Sequence, residues 1–295
     1  MELTNYIQIY KGRGLKKDNQ NNDSIKTFVF DLDETIGSFS ELYILFKCIE
    51  YIKTELKLSI FDNDKEFLFQ LLDLFPEFFR YGIHIIFQYL HEKKNISDKI
   101  RVYIYTNNTC IPISWTTIIV KYMEERFGVE NLFDNIIRAF KIGNQIVEYN
   151  RTTATKTYKD LIRCVHIPVN TELCFIDNID YPKMKHRHVY YIQPKPYYHY
   201  VNRSEIIDRF IKSQSGILMQ SLVQDKLENR ILNWYNKNDY ILHEYVKTKE
   251  EFETDIILSK KIMYHIKNFF YMKIRKLKTR KKRTMINFNK TKKIR

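Results

Sequence analysis

The chain reads as an α/β protein: a Rossmann-like core with a mainly parallel sheet, a helical insert after the first strand, and a helical, basic C-terminal extension. Three observations predict this. β-rich apolar runs recur with helical patterns between them, as strand–helix–strand units require. Three of those runs stop abruptly at a carboxylate or a threonine. Gly (7) and Pro (6) are scarce in 295 residues while aromatic residues make up 15%, which suits a packed core and excludes a fibrous or disordered chain.

In chain order, residues 1–24 are polar, with KKDNQNNDS at 16–24, and predict a flexible lead. Residues 25–32 (IKTFVFDL) predict a buried strand. Over 40–56, Leu42, Leu45, Ile49 and Ile52 recur at helical spacing, and 64–74 and 82–93 predict two more helices. The stretch of about 40–76 is thus the helical insert. Residues 99–106 (KIRVYIYT) are strongly β in composition. A helix over 114–127 is ended by Gly128, and a short one covers 158–164. ELCFID (172–177) and 189–192 predict the third and fourth strands. The core domain is bounded at 25–200, and beyond Pro196 the pattern turns helical through 201–295, beginning with 204–212.

The net charge of +14 is uneven. Residues 256–295 hold fifteen Lys and Arg and no Asp or Glu, so the rest of the chain is near neutral. The basic segment has three open readings: contact with nucleic acid or a polymerase, an import signal at KTRKKR (278–283), or a solvated tail. The four cysteines have no close pairing, which argues against a zinc or disulfide framework and for a reducing compartment. There is no apolar leader and no run near the roughly 20 apolar residues that span a bilayer. The expectation is an intracellular, cytoplasmic or nuclear protein without a membrane partner.

Ligands of parallel sheets sit beyond the carboxyl ends of the strands. Asp31, Thr106 and Asp177 each end a predicted strand, so three distant segments should meet at one edge. The sharpest pattern is FVFDLDETIGSF (28–39), two carboxylates two residues apart past a buried strand. Phosphoryl transfer needs a nucleophile, a proton donor for the leaving oxygen and cations against phosphate charge. Asp31 can attack phosphorus, Asp33 can serve as acid and then base, and Thr35 can hold the loop and hydrogen-bond Asp33 or phosphate.

DLDET resembles the D-x-D-x-T motif of the haloacid dehalogenase superfamily. Its hydrophobic lead-in is similar to the FCP/SCP (NLI-interacting-factor-like) branch, which contains phosphatases of the repeat tail of RNA polymerase II. IRVYIYTNNT (100–109) resembles the second motif, with Thr106 and Asn107 on the phosphate. FRYGIHIIFQYLHEKK (79–94) resembles the branch's R-P-G helix but carries Tyr81 in place of Pro. KTYKDLIRC (156–164) supplies the third-motif lysine. Lys159 fits through its K-D-L context, and Lys156 is the rival. LCFIDNIDYPKM (173–184) resembles the fourth motif. There Asp177 would join the Asp31 carboxylate and Asp33 backbone carbonyl around Mg²⁺, with Asn178 and Asp180 supporting them from behind.

The resemblance implies a Mg²⁺-dependent phosphomonoester hydrolase with an aspartyl-phosphate intermediate, acting on phosphorylated Ser or Thr of a protein. Alternatives are a nucleic-acid end phosphatase, a small-metabolite phosphatase, and a non-catalytic nucleic-acid-binding or scaffold protein. The branch usually carries a short β-hairpin where this chain has its helical insert, so a lid over the site is a further expectation.

Overall fold

The computed structural model describes residues 6–17, 24–58, 60, 63–110, 114–168, 171–238 and 247–274. It opens with strands β1 (Ile7–Lys11), β2 (Leu15–Lys17) and β3 (Lys26–Phe30). Helices α1 (Ser40–Glu55), α2 (Asp64–Leu74) and α3 (Ile83–Asn95) lead to β4 (Ile100–Tyr105), α4 (Ser114–Arg126) and β5 (Asn135–Ile137). A small hairpin, β6 (Lys141–Ile142) and β7 (Gln145–Ile146), precedes α5 (Tyr158–Val165), β8 (Glu172–Ile176) and β9 (Val189–Pro194). Helices α6 (Arg203–Lys212), α7 (Gln214–Leu222), α8 (Leu227–Lys237) and α9 (Lys249–Phe270) follow, and β10 (Met272–Ile274) comes last. The expected helices and four expected strands form within a few residues of their predicted bounds. The strands that composition did not signal are short or lie at edges, where few side chains are buried.

The central sheet has the order β1-β9-β8-β3-β4-β5. Its inner pairings are parallel, and β1 adds an antiparallel edge to β9. The chain runs outward from β3 through β4 to β5, then returns to the other side of β3 for β8 and β9. Strand order therefore reverses between β3 and β8, and a crevice opens beyond their carboxyl ends. β3 and β8 are buried at every residue, as the centre of a sheet covered on both faces must be. Alternation divides the two faces. Phe28, Phe30, Ile104, Cys174 and Ile176 join a large apolar cluster with residues of every helix except α5. Val29, Tyr105, Phe175 and Tyr191 join a thinner one with Tyr158, Leu161 and Cys164 of α5.

Two expectations change. The lead over 1–24 is not free where it is described. β1 pairs with β9, and β2 pairs with β10, burying Leu15. Backbone pairing to an open sheet edge orders this segment despite its polar side chains. Residues 18–23, most of the KKDNQNNDS run, lie outside the described residues. The helices after residue 201, expected as an extension, share the apolar core of the sheet domain. Phe269 packs edge-on to Phe28 at 5.3 Å, and Tyr190 on β9 shares a hydrogen bond with His265 on α9 (2.8 Å). At the amino end of the sheet a buried Lys26–Glu172 pair ties down β10. The Lys26 ammonium donates to the Met272 carbonyl, and the Ile274 N–H donates to Glu172 (2.8 Å). The basic run at 275–295, including KTRKKR, lies outside the described residues. Among the described residues no helix is long and apolar enough to cross a membrane.

Candidate active site

Register brings the carboxylates together. Phe30 stands opposite Ile176 on β8 and Ile104 on β4. The next residues, Asp31, Asp177 and Tyr105, are therefore level, and alternation turns all three toward the face covered by α5. Asp31 is 6% exposed and Asp177 fully buried. Two buried carboxylates on neighbouring strands need a cation between them. Lys156 supplies it. Its ammonium donates to Asp31 and to Asp177, the latter at 2.7 Å, and lies 5.4 Å from the centre of the Tyr181 ring. Burial opposes the Lys156 charge, but Asp31 and Asp177 outweigh it and hold the ammonium above the usual lysine range.

Lys159 does not occupy that position. α5 buries Tyr158, Asp160, Leu161 and Cys164, and at 100° per residue Lys159 falls on the opposite, solvent side with Arg163. Lys156 precedes the N-cap Thr157, whose hydroxyl accepts the Asp160 N–H at 3.0 Å. There the chain is still extended and points back across the sheet end. The K-D-L context therefore indicates the wrong lysine of the two.

After Asp31 the backbone turns sharply. The Leu32 carbonyl accepts the N–H of Ile36 (2.9 Å), and Glu34 sits in the left-handed region at φ 60°. Gly37 bridges Asp33 on one side and Phe79 on the other. A Cβ there would lie 2.4 Å from the Phe39 ring and 2.6 Å from the Phe78 carbonyl oxygen, so only glycine fits. Arg80, 1% exposed, clamps this turn, donating to the carbonyls of Thr35 (2.6 Å), Glu34 (2.7 Å) and Lys195 (2.9 Å). It belongs to the FRYG run.

Thr35 holds the loop, but through partners other than the expected Asp33. Its hydroxyl donates to Asn178 (2.9 Å), lies 3.4 Å from Asp31, and accepts the Asn178 N–H at 3.0 Å. Asn178 thereby stitches the first loop to the end of β8. Asp180 does not support the site; it is exposed and pairs with Lys185 at 2.8 Å. The Ile179 N–H instead holds the second oxygen of Asp177 (2.9 Å).

Asp33 projects into the cleft, where the Asn108 amide donates to both of its oxygens (3.2 and 3.0 Å). Desolvation, and then the charge of Asp31, push its carboxyl up to about 7. Burial likewise raises Asp177, with Lys156 pulling the other way. Thr106 is buried and its oxygen accepts the Asn108 N–H (2.9 Å), which leaves its own proton free to donate. Asn107 lines the cleft but its amide is engaged, donating to the Tyr181 hydroxyl (3.2 Å) and accepting from Arg151 (2.7 Å).

Arg151 and Asn108 were not foreseen. Arg151, 2% exposed, donates to the carbonyls of Thr106 (3.1 Å), Arg138 (2.7 Å) and Ala154 (2.8 Å), and lies over the Tyr105 ring. It fixes the 106–108 loop against the segment carrying Lys156. One arginine in a basic chain carries no signal in sequence. Asn108 had one, as the second Asn of TNNT.

The insert contributes a wall instead of a hinged lid. Phe39, Ser40, Tyr43 and Ile44 line a cleft of about 450 Å³ with Trp115, while Leu42, Leu45, Phe46, Ile49 and Ile52 of α1 are buried in the core. An element with so much apolar surface interred cannot swing without exposing it.

The donor set fits Mg²⁺ in kind. Asp31, Asp177 and the Asp33 carbonyl offer hard oxygens, the donor type Mg²⁺ prefers. Among the described residues no group of three or more His, Cys, Asp or Glu side chains forms a metal cage. The Mg²⁺ donors would instead be two side chains and a backbone oxygen. The chain matches no protein-family model, no curated protein and no solved structure.

Proposed function

We propose that the chain is a Mg²⁺-dependent phosphomonoester hydrolase of the haloacid dehalogenase kind, working through an aspartyl-phosphate on Asp31. One observation carries the reading: the buried Lys156 ammonium joins Asp31 and Asp177 at the reversal point of a parallel sheet, with Asp33 beside them in the cleft. An ordinary structural ion pair needs one carboxylate; burying a second one at a cleft is costly, and charges held at such a cost cluster at functional sites.

The chain's own groups cover the steps. A carboxylate oxygen of Asp31 attacks phosphorus and the bond to the leaving oxygen breaks. Asp33, protonated to a useful extent near neutrality, gives its proton to that oxygen. Asp33 then takes a proton from water, which attacks the aspartyl-phosphate, releasing phosphate and restoring Asp31. Lys156 and the Thr106 hydroxyl steady the phosphoryl oxygens, and Asn108 keeps Asp33 aimed. When bound by Asp31, Asp177 and the Asp33 carbonyl, Mg²⁺ offsets the repulsion between nucleophile and phosphoryl group. The branch resemblance adds the finer proposal of a phosphorylated Ser or Thr in a protein as substrate.

The test is hydrolysis of p-nitrophenyl phosphate with Mg²⁺. Asp31→Asn should lower kcat by about 10⁴-fold or more. Asp33→Asn should leave a hydroxylamine-sensitive phosphoryl group on the protein. Absence of turnover by the wild type at any pH, or full activity of Asp31→Asn, overturns the reading.

A further inference from the structure

We infer that the leaving-group side of this cleft is an apolar subsite that takes an uncharged, flat apolar group attached to a single phosphoryl ester and turns away substrates bearing a second anionic group. The inference rests on the phosphatase reading and not on the finer proposal of a phosphorylated Ser or Thr, to which it offers a different substrate class.

The cleft is chemically two-sided. Its polar end holds Asp31, Asp33, Lys156 and the asparagines of the 107–108 loop. The apolar part of its lining is Phe39, Tyr43, Ile44, Trp115 and Ile179, while Tyr181 lies with the polar groups, its ring 5.4 Å from the Lys156 ammonium and its hydroxyl accepting from Asn107. This apolar wall is rigid. Trp115 is 1% exposed and packs against Tyr43 at 5.0 Å and Phe46 at 5.5 Å between ring centres. Phe39 is held edge-on to Phe79 at 5.2 Å. Ile179 is half exposed at the rim, and its backbone is fixed by the hydrogen bond to Asp177. Aromatic side chains concentrated in this part of the lining suit a flat apolar group.

Charge sharpens the preference. Lys156 is the one cation among the described lining residues, and Asp31 and Asp177 already engage it. Glu34 lines the same cleft, anchored by the Asn178 amide (3.2 Å) and the Tyr198 hydroxyl (3.3 Å). A second phosphate would meet that carboxylate with no Lys or Arg among the described lining residues to receive it, at low dielectric where like charges repel strongly. Nucleic-acid ends, in which a neighbouring phosphodiester lies within a nucleotide of the reacting group, are disfavoured on this ground.

The experiment compares kcat/KM of the full chain with Mg²⁺ for 2-phenylethyl phosphate, ethyl phosphate and a 3′-phosphorylated oligonucleotide. The first two leave as alcohols of similar basicity, so their ratio isolates the ring. The ring should raise kcat/KM about 10-fold or more, and the oligonucleotide should fall below both esters. In Ile44→Lys, which puts a cation on the apolar wall, the ratio of the two esters should fall toward one and the oligonucleotide should gain relative to both. Equal rates for the two esters, or an oligonucleotide preferred by the wild type, overturn the inference while the phosphatase reading stands. No turnover of any of the three while p-nitrophenyl phosphate is hydrolysed overturns the inference alone; no turnover of p-nitrophenyl phosphate as well removes the phosphatase reading and this inference with it.

Discussion

Lys156→Met, set beside Lys159→Met, tests the ion-pair arrangement most directly. At 2.7 Å and an effective dielectric constant of about 20, one carboxylate–ammonium attraction is worth about 6 kcal/mol before desolvation is subtracted. Removing the cation strands two buried carboxylates, and breaking such a pair usually costs about 3–5 kcal/mol. The cost depends on pH. Asp177 has its folded pKa raised above the unfolded value, so the stability linked to its protonation is fully present at low pH and is lost as pH rises through the folded pKa. Without Lys156 that pKa rises further. Urea unfolding of Lys156→Met should therefore show a large deficit at pH 8 and a smaller one at pH 5. Turnover of p-nitrophenyl phosphate should fall about 10²–10³-fold, as for loss of one preorganised charge donor. Lys159→Met, on the solvent side of α5, should change stability by under about 0.5 kcal/mol and leave kcat near wild type. Loss of activity in Lys159→Met with an active, stable Lys156→Met would refute the assignment of the bridging cation.

Other expectations follow from buried groups around the site. Arg151→Met leaves four acceptors without their donor, so it should destabilise by about 2–4 kcal/mol and lower kcat/KM. Arg151→Lys should restore little of either, since an ammonium cannot span a fork of carbonyls; full rescue would show that charge alone matters there. Glu41, whose carboxylate accepts the Val201 N–H at 2.9 Å, is pushed up to about 7 by burial. Its folded pKa lies above its unfolded value, so its contribution holds at low pH and is lost as pH rises toward 8. Glu41→Gln should gain about 2 kcal/mol on wild type between pH 5 and pH 8 by urea midpoint, and a gain independent of pH would refute this origin. Gly37→Ala forces a methyl group against Phe39 and the Phe78 carbonyl, and thermal unfolding should register a loss of about 1–3 kcal/mol with impaired turnover. An unchanged midpoint would mean the turn yields freely.

Sequence alone determined the scaffold of the site. Apolar strand runs ending in Asp31, Thr106 and Asp177 follow from alternation and β propensity, and their shared edge follows from the way parallel sheets are wound. The choice between Lys156 and Lys159 was partly legible too, since Tyr158, Leu161 and Cys164 mark the buried face of a helix and Lys159 lies off it; the K-D-L resemblance pointed the other way. Tertiary structure decided the rest. FRYG, TNNT and the Asp177-Asn178 pair mark Arg80, Asn108 and Asn178 in the sequence, but what these residues and Arg151 hold is not legible there, because their hydrogen bonds join segments far apart in the chain. The ordering of the polar lead at β1 and β2 has the same cause: it depends on unpaired backbone groups of β9 and β10, which close on it only once the sheet exists.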